Sequence, residues 1–222
     1  MKNNKLMIAG LVLGVVNLIA SLFCIFTLPD VVPTHFDINW VCDSMGSPYT
    51  ALFTAILPLG FMALFPLAEK WQTEQQKAQN HSVLSLTFFL LTAFEVITNW
   101  FVLLSMRSGV QIGEKIDNPY MMWILLFAFG ILVVVLGNYM PIVAHNRMLG
   151  LRVKWTLESE ECWRLTHRFM GNLLVVCGLI FIAVMFLLML FDVSKLAAVV
   201  ILFVFVTVIT IVPTIYAYLH KE

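Results

Sequence analysis

Phe169-Met-Gly-Asn-Leu-Leu-Val-Val-Cys-Gly-Leu-Ile-Phe-Ile-Ala-Val-Met-Phe-Leu-Leu-Met-Leu-Phe191 runs for 23 residues without a charge. At about 1.5 Å rise per residue such a helix covers more than the roughly 30 Å of hydrocarbon in a bilayer. Five further stretches read the same way: Met7–Leu28, Ala51–Ala68, Val83–Ser105, Met121–Ala144 and Leu196–Leu219. The chain is therefore expected to be an all-α, polytopic membrane bundle of six transmembrane helices. It divides into a three-span N-terminal half, 1–105, and a three-span C-terminal half, 106–222. Hydrophobic residues make up 61% and charged residues only 12%, against about 25% charged in soluble domains. Lipid accommodates that surface and water does not.

Six spans put both termini on one side, and the cations choose the side. Lys2, Lys5, Lys70, Lys77, Arg147, Arg152, Lys154, Arg164, Arg168 and Lys221 share the terminal face, against Arg107, Lys115 and Lys195 on the other. The positive-inside rule then makes both termini cytoplasmic. The first span has a basic start but is longer than a signal-peptide core and ends in Leu28-Pro-Asp30, so it reads as a retained helix. Cys24 and Cys177 fall within spans, with Cys42 outside and Cys162 inside, a distribution that gives neither a disulfide nor a thiolate metal site.

Two long loops punctuate the spans. The outer one contains Pro29, Asp30, Pro33, His35, Asp37 and Asp43. Its prolines hold the chain extended, and its acids with one imidazole suit a divalent cation or a cationic peptide. Trp40 and Tyr49 suit the outer interface belt. The inner loop, 145–168, is the most polar segment. Thr156-Leu-Glu-Ser-Glu-Glu161 reads as the start of a short helix running into the fifth span, because Glu in a first turn complements the helix dipole. Arg152, Lys154, Arg164, His167 and Arg168 crowd the surface, where they can touch anionic lipid or a cytosolic partner, with Trp155 and Trp163 as anchors.

Within the spans, Glu95 stands alone as an ionisable group near mid-membrane. A charge there costs about 2.5–3.5 kcal/mol, so Glu95 is expected to face the bundle, with Asn99 one turn away and Asn17 at similar depth as its partners. It could serve ion coupling in a small transporter. No nucleophile elbow, HExxH, phosphate loop or Rossmann glycine set occurs. An embedded enzyme would have to draw on Asn138, Asn146, His167 and Asn172. The expected class is a binding protein rather than an enzyme, without cofactor or metal and without direct nucleic-acid contact.

Leu28-Pro-Asp-Val-Val-Pro-Thr-His-Phe36, with Asp43 and Gly46-Ser47, resembles a membrane domain of unknown function found ahead of SdpI-type domains. Gly137-Asn-Tyr-Met-Pro141, Asn146, Gly150-Leu-Arg152, Trp155-Thr-Leu157, Trp163, Thr166-His-Arg168 and Gly171 closely resemble the SdpI immunity-protein family. The chain departs from the family pattern at Asn39-Trp40, where a glycine is usual, at Pro48, usually lysine, and at Val153-Lys154, usually Thr-Pro. The resemblance implies a multi-pass protein of a bacterial plasma membrane that protects against a secreted peptide toxin, with signalling through a cytosolic transcriptional repressor drawn to the membrane. On that reading the outer-loop residues above bind the ligand. Asn138, Asn146, Arg152, Trp155, Thr156, Trp163, His167 and Arg168 form the partner-binding set.

Overall fold

The computed structural model describes residues 4–116 and 120–221. Six helices long and apolar enough to cross a membrane are present, so the chain is a multi-pass membrane protein. They are α1 (Lys5–Phe26), α2 (Leu52–Lys70), α3 (Glu74–Met106), α4 (Tyr120–Tyr139), α6 (Glu160–Leu190) and α7 (Lys195–Leu219). A short helix, α5 (Lys154–Glu158), precedes α6. Helices α1, α2 and α3 pack on one another, α4 joins α3 to α6, and α7 packs on α6.

Small residues set the closest crossings. A Cβ on Gly10 or Gly14 of α1 would strike Met62 or Leu59 of α2. On α4 and α6 the glycines recur seven apart. A Cβ on Gly137 would lie 3.1 Å from the carbonyl of Gly171, and one on Gly178 would lie 2.7 Å from Val134. Seven residues bring the same helix face round again, so two antiparallel backbones approach along one seam. Farther along, Phe129 of α4 meets Phe181 of α6 and Phe205 of α7 edge-on, and these rings anchor the core of the second half.

Two elements depart from the expectation. The outer loop is not simply extended: Val32–Phe36 (β1) and Cys42–Gly46 (β2) form an antiparallel hairpin. Helix α3 begins at Glu74, nine residues before the expected third span. A capping box stops it there, with Thr73 Oγ1 accepting from Gln76 N and Gln76 Oε1 accepting from Thr73 N. At about 1.5 Å per residue, the 33-residue α3 and the 31-residue α6 are about 50 and 46 Å long, well beyond the hydrocarbon. Both project from the end of the bundle that carries the termini.

Candidate functional site

Between those two projecting ends the chain from Val143 to Val153 folds into a platform. Asn80 of α3, fully buried, accepts from the Ala144 N–H (2.9 Å) and donates to the Ala144 carbonyl (3.2 Å). Gln76 donates to the His145 carbonyl at 2.9 Å. From the other side, Trp163 Nε1 of α6 donates to the Val143 carbonyl at 2.8 Å. Asn146 closes its own turn: Oδ1 accepts from Met148 N and Leu149 N, and Nδ2 donates to the Ala144 and Leu149 carbonyls. A loop with no ladder of its own thus has its backbone groups satisfied by buried amide side chains.

His167 is the second pin. Its Nδ1 lies 2.9 Å from the Trp163 carbonyl and its Nε2 lies 3.1 Å from the Leu151 N–H. A carbonyl requires a donor and an N–H requires an acceptor, so the ring is the neutral Nδ1–H tautomer. It stacks on Trp163 at 3.8 Å, and His145 meets the same indole edge-on at 5.0 Å. Gly150 passes beneath with φ +102°, and a Cβ there would fall 2.0 Å from His167 Nε2.

The expected helix start is split. Thr156 does not cap the long helix; it lies inside α5, accepts from Val153 N and donates to the Leu151 carbonyl at 2.7 Å. Ser159 breaks the two helices apart in an extended conformation and caps α6 by accepting from Cys162 N, ahead of Glu160 and Glu161. Cys162 Sγ donates to the Ala217 carbonyl of α7, and Trp155 meets Tyr218 edge-on.

The expected partner-binding set therefore separates into two kinds. Asn146, Thr156, Trp163 and His167 are buried and bonded inward. Arg152, Arg168 and Asn138 are exposed and Trp155 is half-buried, while Arg147, Lys154 and Arg164, outside that set, add exposed cations to the same surface. Arg152 donates to the Arg147 carbonyl and Arg164 pairs with Glu161. Asn138 and Asn172 are exposed, whereas Asn146 and His167 are buried with their polar atoms occupied. The four do not line one cavity.

At the opposite end, Asp37 turns back on its own loop. Its Oδ1 accepts from Asn39 N and Val41 N at 2.8 Å, and the Val41 amide above all holds its carboxyl below the usual value. His35 Nδ1 pairs with Asp43 at 2.6 Å, Pro33 is buried, and Pro29 and Asp30 are exposed. These acids do not converge, and among the described residues no three His, Cys, Asp or Glu side chains are placed to hold a metal ion. The hairpin is tied instead to the α3–α4 loop: Cys42 N donates to Glu114 O, Gly113 N to Cys42 O and Ile116 N to Trp40 O. Trp40 adopts φ +65°, a strained backbone for a side chain, at the site where the resemblance expects glycine. Its ring meets Phe36 and the edge of Phe101, with the Lys195 ammonium 5.7 Å away.

Inside the membrane, Asn99 does meet Asn17, but Glu95 is not part of the arrangement. Asn99 Nδ2 donates to Asn17 Oδ1 (3.1 Å) and to Ser21 Oγ (2.8 Å), and its Oδ1 accepts from Thr54 Oγ1 (3.0 Å). Asn17 also donates to the Ala55 carbonyl. This network ties α1, α2 and α3 together. Glu95, half-buried, makes no hydrogen bond or ion pair among the described residues. The platform's anchors Gln76 and Asn80 on α3 carried no sequence signal beyond the Thr73…Gln76 cap.

The SdpI/YfhL protein family matches residues 142–217, which take in the platform, α5, α6 and most of α7. Over 180 residues the chain is 26% identical to "Immunity protein SdpI" of Bacillus subtilis (strain 168), covering 81% of this chain and 80% of that one. No solved structure matches significantly.

Proposed function

We propose, for a chain that belongs to the SdpI/YfhL protein family, that it is a bacterial membrane immunity protein which protects its cell from a secreted peptide toxin by binding rather than by chemistry. The observation that carries this reading is the similarity to the Bacillus subtilis immunity protein along four-fifths of both chains. The excess of Lys and Arg at the terminal end supports a platform in the cytoplasm and a hairpin outside.

On this reading the toxin meets the hairpin, where Pro29, Asp30, His35 and Asp43 are available, while Pro33 and Asp37 shape the loop. A cytosolic repressor docks on Arg152, Lys154 and Arg168, which stand on a platform held by Asn146, Thr156, Trp163 and His167. Helix α3 supports both ends, with Phe101 under Trp40 and with Gln76 and Asn80 under the platform. Coupling the two sites requires two bundle states with different toxin affinity, and such coupling is typically worth about 1–3 kcal/mol.

The test is deletion of the gene in the source bacterium, followed by growth in its own spent medium with membrane potential recorded. Collapse of the potential, rescued by the intact gene, is the expected result. Normal growth and normal potential in the deletion strain would overturn the reading.

A further inference from the structure

A groove of about 610 Å³ runs along the outward side of α1 and α3. On α1 it is lined by Val16, Ala20, Phe23 and Thr27, and on α3 by Trp100 and Arg107. These positions recur at three-to-four and seven residues, so each set lies on one helix face. The two helices run in the same direction, and both stripes end at the hairpin side of the bundle, one in a hydroxyl and the other in a guanidinium. The floor is apolar and the mouth is cationic.

Arg107 is the C-cap residue of α3 and is exposed. Its guanidinium makes no hydrogen bond or ion pair among the described residues. It is also one of few cations on an end of the bundle where cations are scarce. The distance fits a particular kind of molecule. Val16 to Thr27 spans about 16 Å of helix, and one leaflet of hydrocarbon is about 15 Å deep. An amphiphile lying in the groove with its chain end at Val16 would bring its head to Arg107. Two other lipid-facing grooves, between α3 and α4 and between α6 and α7, are lined by apolar side chains alone, so nothing in them selects a head group.

We propose that the α1–α3 groove holds an acyl chain of a single phospholipid whose phosphate is bound by Arg107. Guanidinium and phosphate match in charge and in forked geometry, and Trp100 supplies a broad apolar wall at chain depth. The lipid would seat the outer half of α1 against α3 beside the Asn17–Asn99 network. The inference does not depend on the immunity reading.

The full-length protein, purified in mild detergent, would be loaded with phosphatidylglycerol or, separately, with diacylglycerol. Lipid retained after detergent exchange would be counted by native mass spectrometry. About one phosphatidylglycerol per chain is expected, with little diacylglycerol. Arg107→Gln should lower phospholipid occupancy about tenfold, the scale of one charge-assisted hydrogen bond, and Arg107→Lys should restore part of it. Ala20→Phe, which fills the groove and leaves Arg107 in place, should also abolish retention while the protein still elutes as a single species. Equal occupancy in the wild type, Arg107→Gln and Ala20→Phe would overturn the proposal, as would diacylglycerol retained as well as phosphatidylglycerol. So would phosphatidylglycerol occupancy that is unchanged in Ala20→Phe alone.

Discussion

Gly150 and His167 occupy one another's space: a Cβ on the glycine would lie 2.0 Å from the Nε2 that accepts the Leu151 N–H. Gly150→Ala must therefore displace the imidazole and also hold a side chain at φ +102°. The left-handed backbone costs about 1–2 kcal/mol and the lost hydrogen bond about 1 kcal/mol. Thermal unfolding of the solubilised protein should move several degrees lower, with amide exchange increased over residues 143–153. An alanine variant with wild-type stability and protection would show that the platform is not clamped here.

Asn99 and Glu95 are one helical turn apart on α3, yet they should respond oppositely to substitution. Asn99→Leu strips partners from Asn17, Ser21 and Thr54. At roughly 0.6 kcal/mol for each bond inside a bilayer, the loss is about 2 kcal/mol. Glu95→Gln removes no bond among the described residues and should leave the melting midpoint within a degree or so of wild type. Equal destabilisation by the two changes would mean that Glu95 belongs to the network after all.

The difference between those two residues shows where the sequence stops being informative. The six spans follow from length and composition, but hydrophobicity alone started the third at Val83 and passed over the Thr73-x-x-Gln76 cap that begins α3 at Glu74. Spacing alone put Glu95 and Asn99 together, but α1 crosses α3 narrowly enough to collect only Asn99. The hairpin was readable as extended chain, whereas its tie to residues 113–116, some 70 positions away in sequence, was not. The platform was legible as a motif through Gly150, Trp163 and His167. Its anchoring by Gln76 and Asn80 was not, because a buried amide that reaches across two helices leaves no local pattern.

Asp37 should make the hairpin sensitive only to strong acid. Its folded-state carboxyl is held below its ordinary value, chiefly because the Val41 amide donates to the charged form. A depressed carboxylate contributes stability that is fully present above the unfolded value and is lost as pH falls through the folded one. Tryptophan fluorescence from the Trp40 cluster should hold steady down to the ordinary carboxylate range and change only in stronger acid. Asp37→Asn, which cannot ionise, should lack that acid step. A transition near neutral pH that disappears in Asp37→Asn would contradict the assignment.

The platform's two kinds of residue give the sharpest separation of fold from signalling. His167 and Trp163 are buried and hold backbone carbonyls or amides, so His167→Ala and Trp163→Phe should each lower stability by about 1–3 kcal/mol, the cost of leaving buried partners unsatisfied. Arg152 and Arg168 are exposed, and surface truncations of this kind usually change stability by less than about 0.5 kcal/mol. If the platform docks a cytosolic repressor, Arg152→Ala combined with Arg168→Ala should leave folding and membrane insertion intact while toxin-dependent release of a reporter gene is lost. Melting curves and the reporter, measured on the same variants, separate the outcomes. A double arginine variant that still signals would sink the docking assignment without touching the architecture, whereas a stable His167→Ala protein would sink the architecture itself.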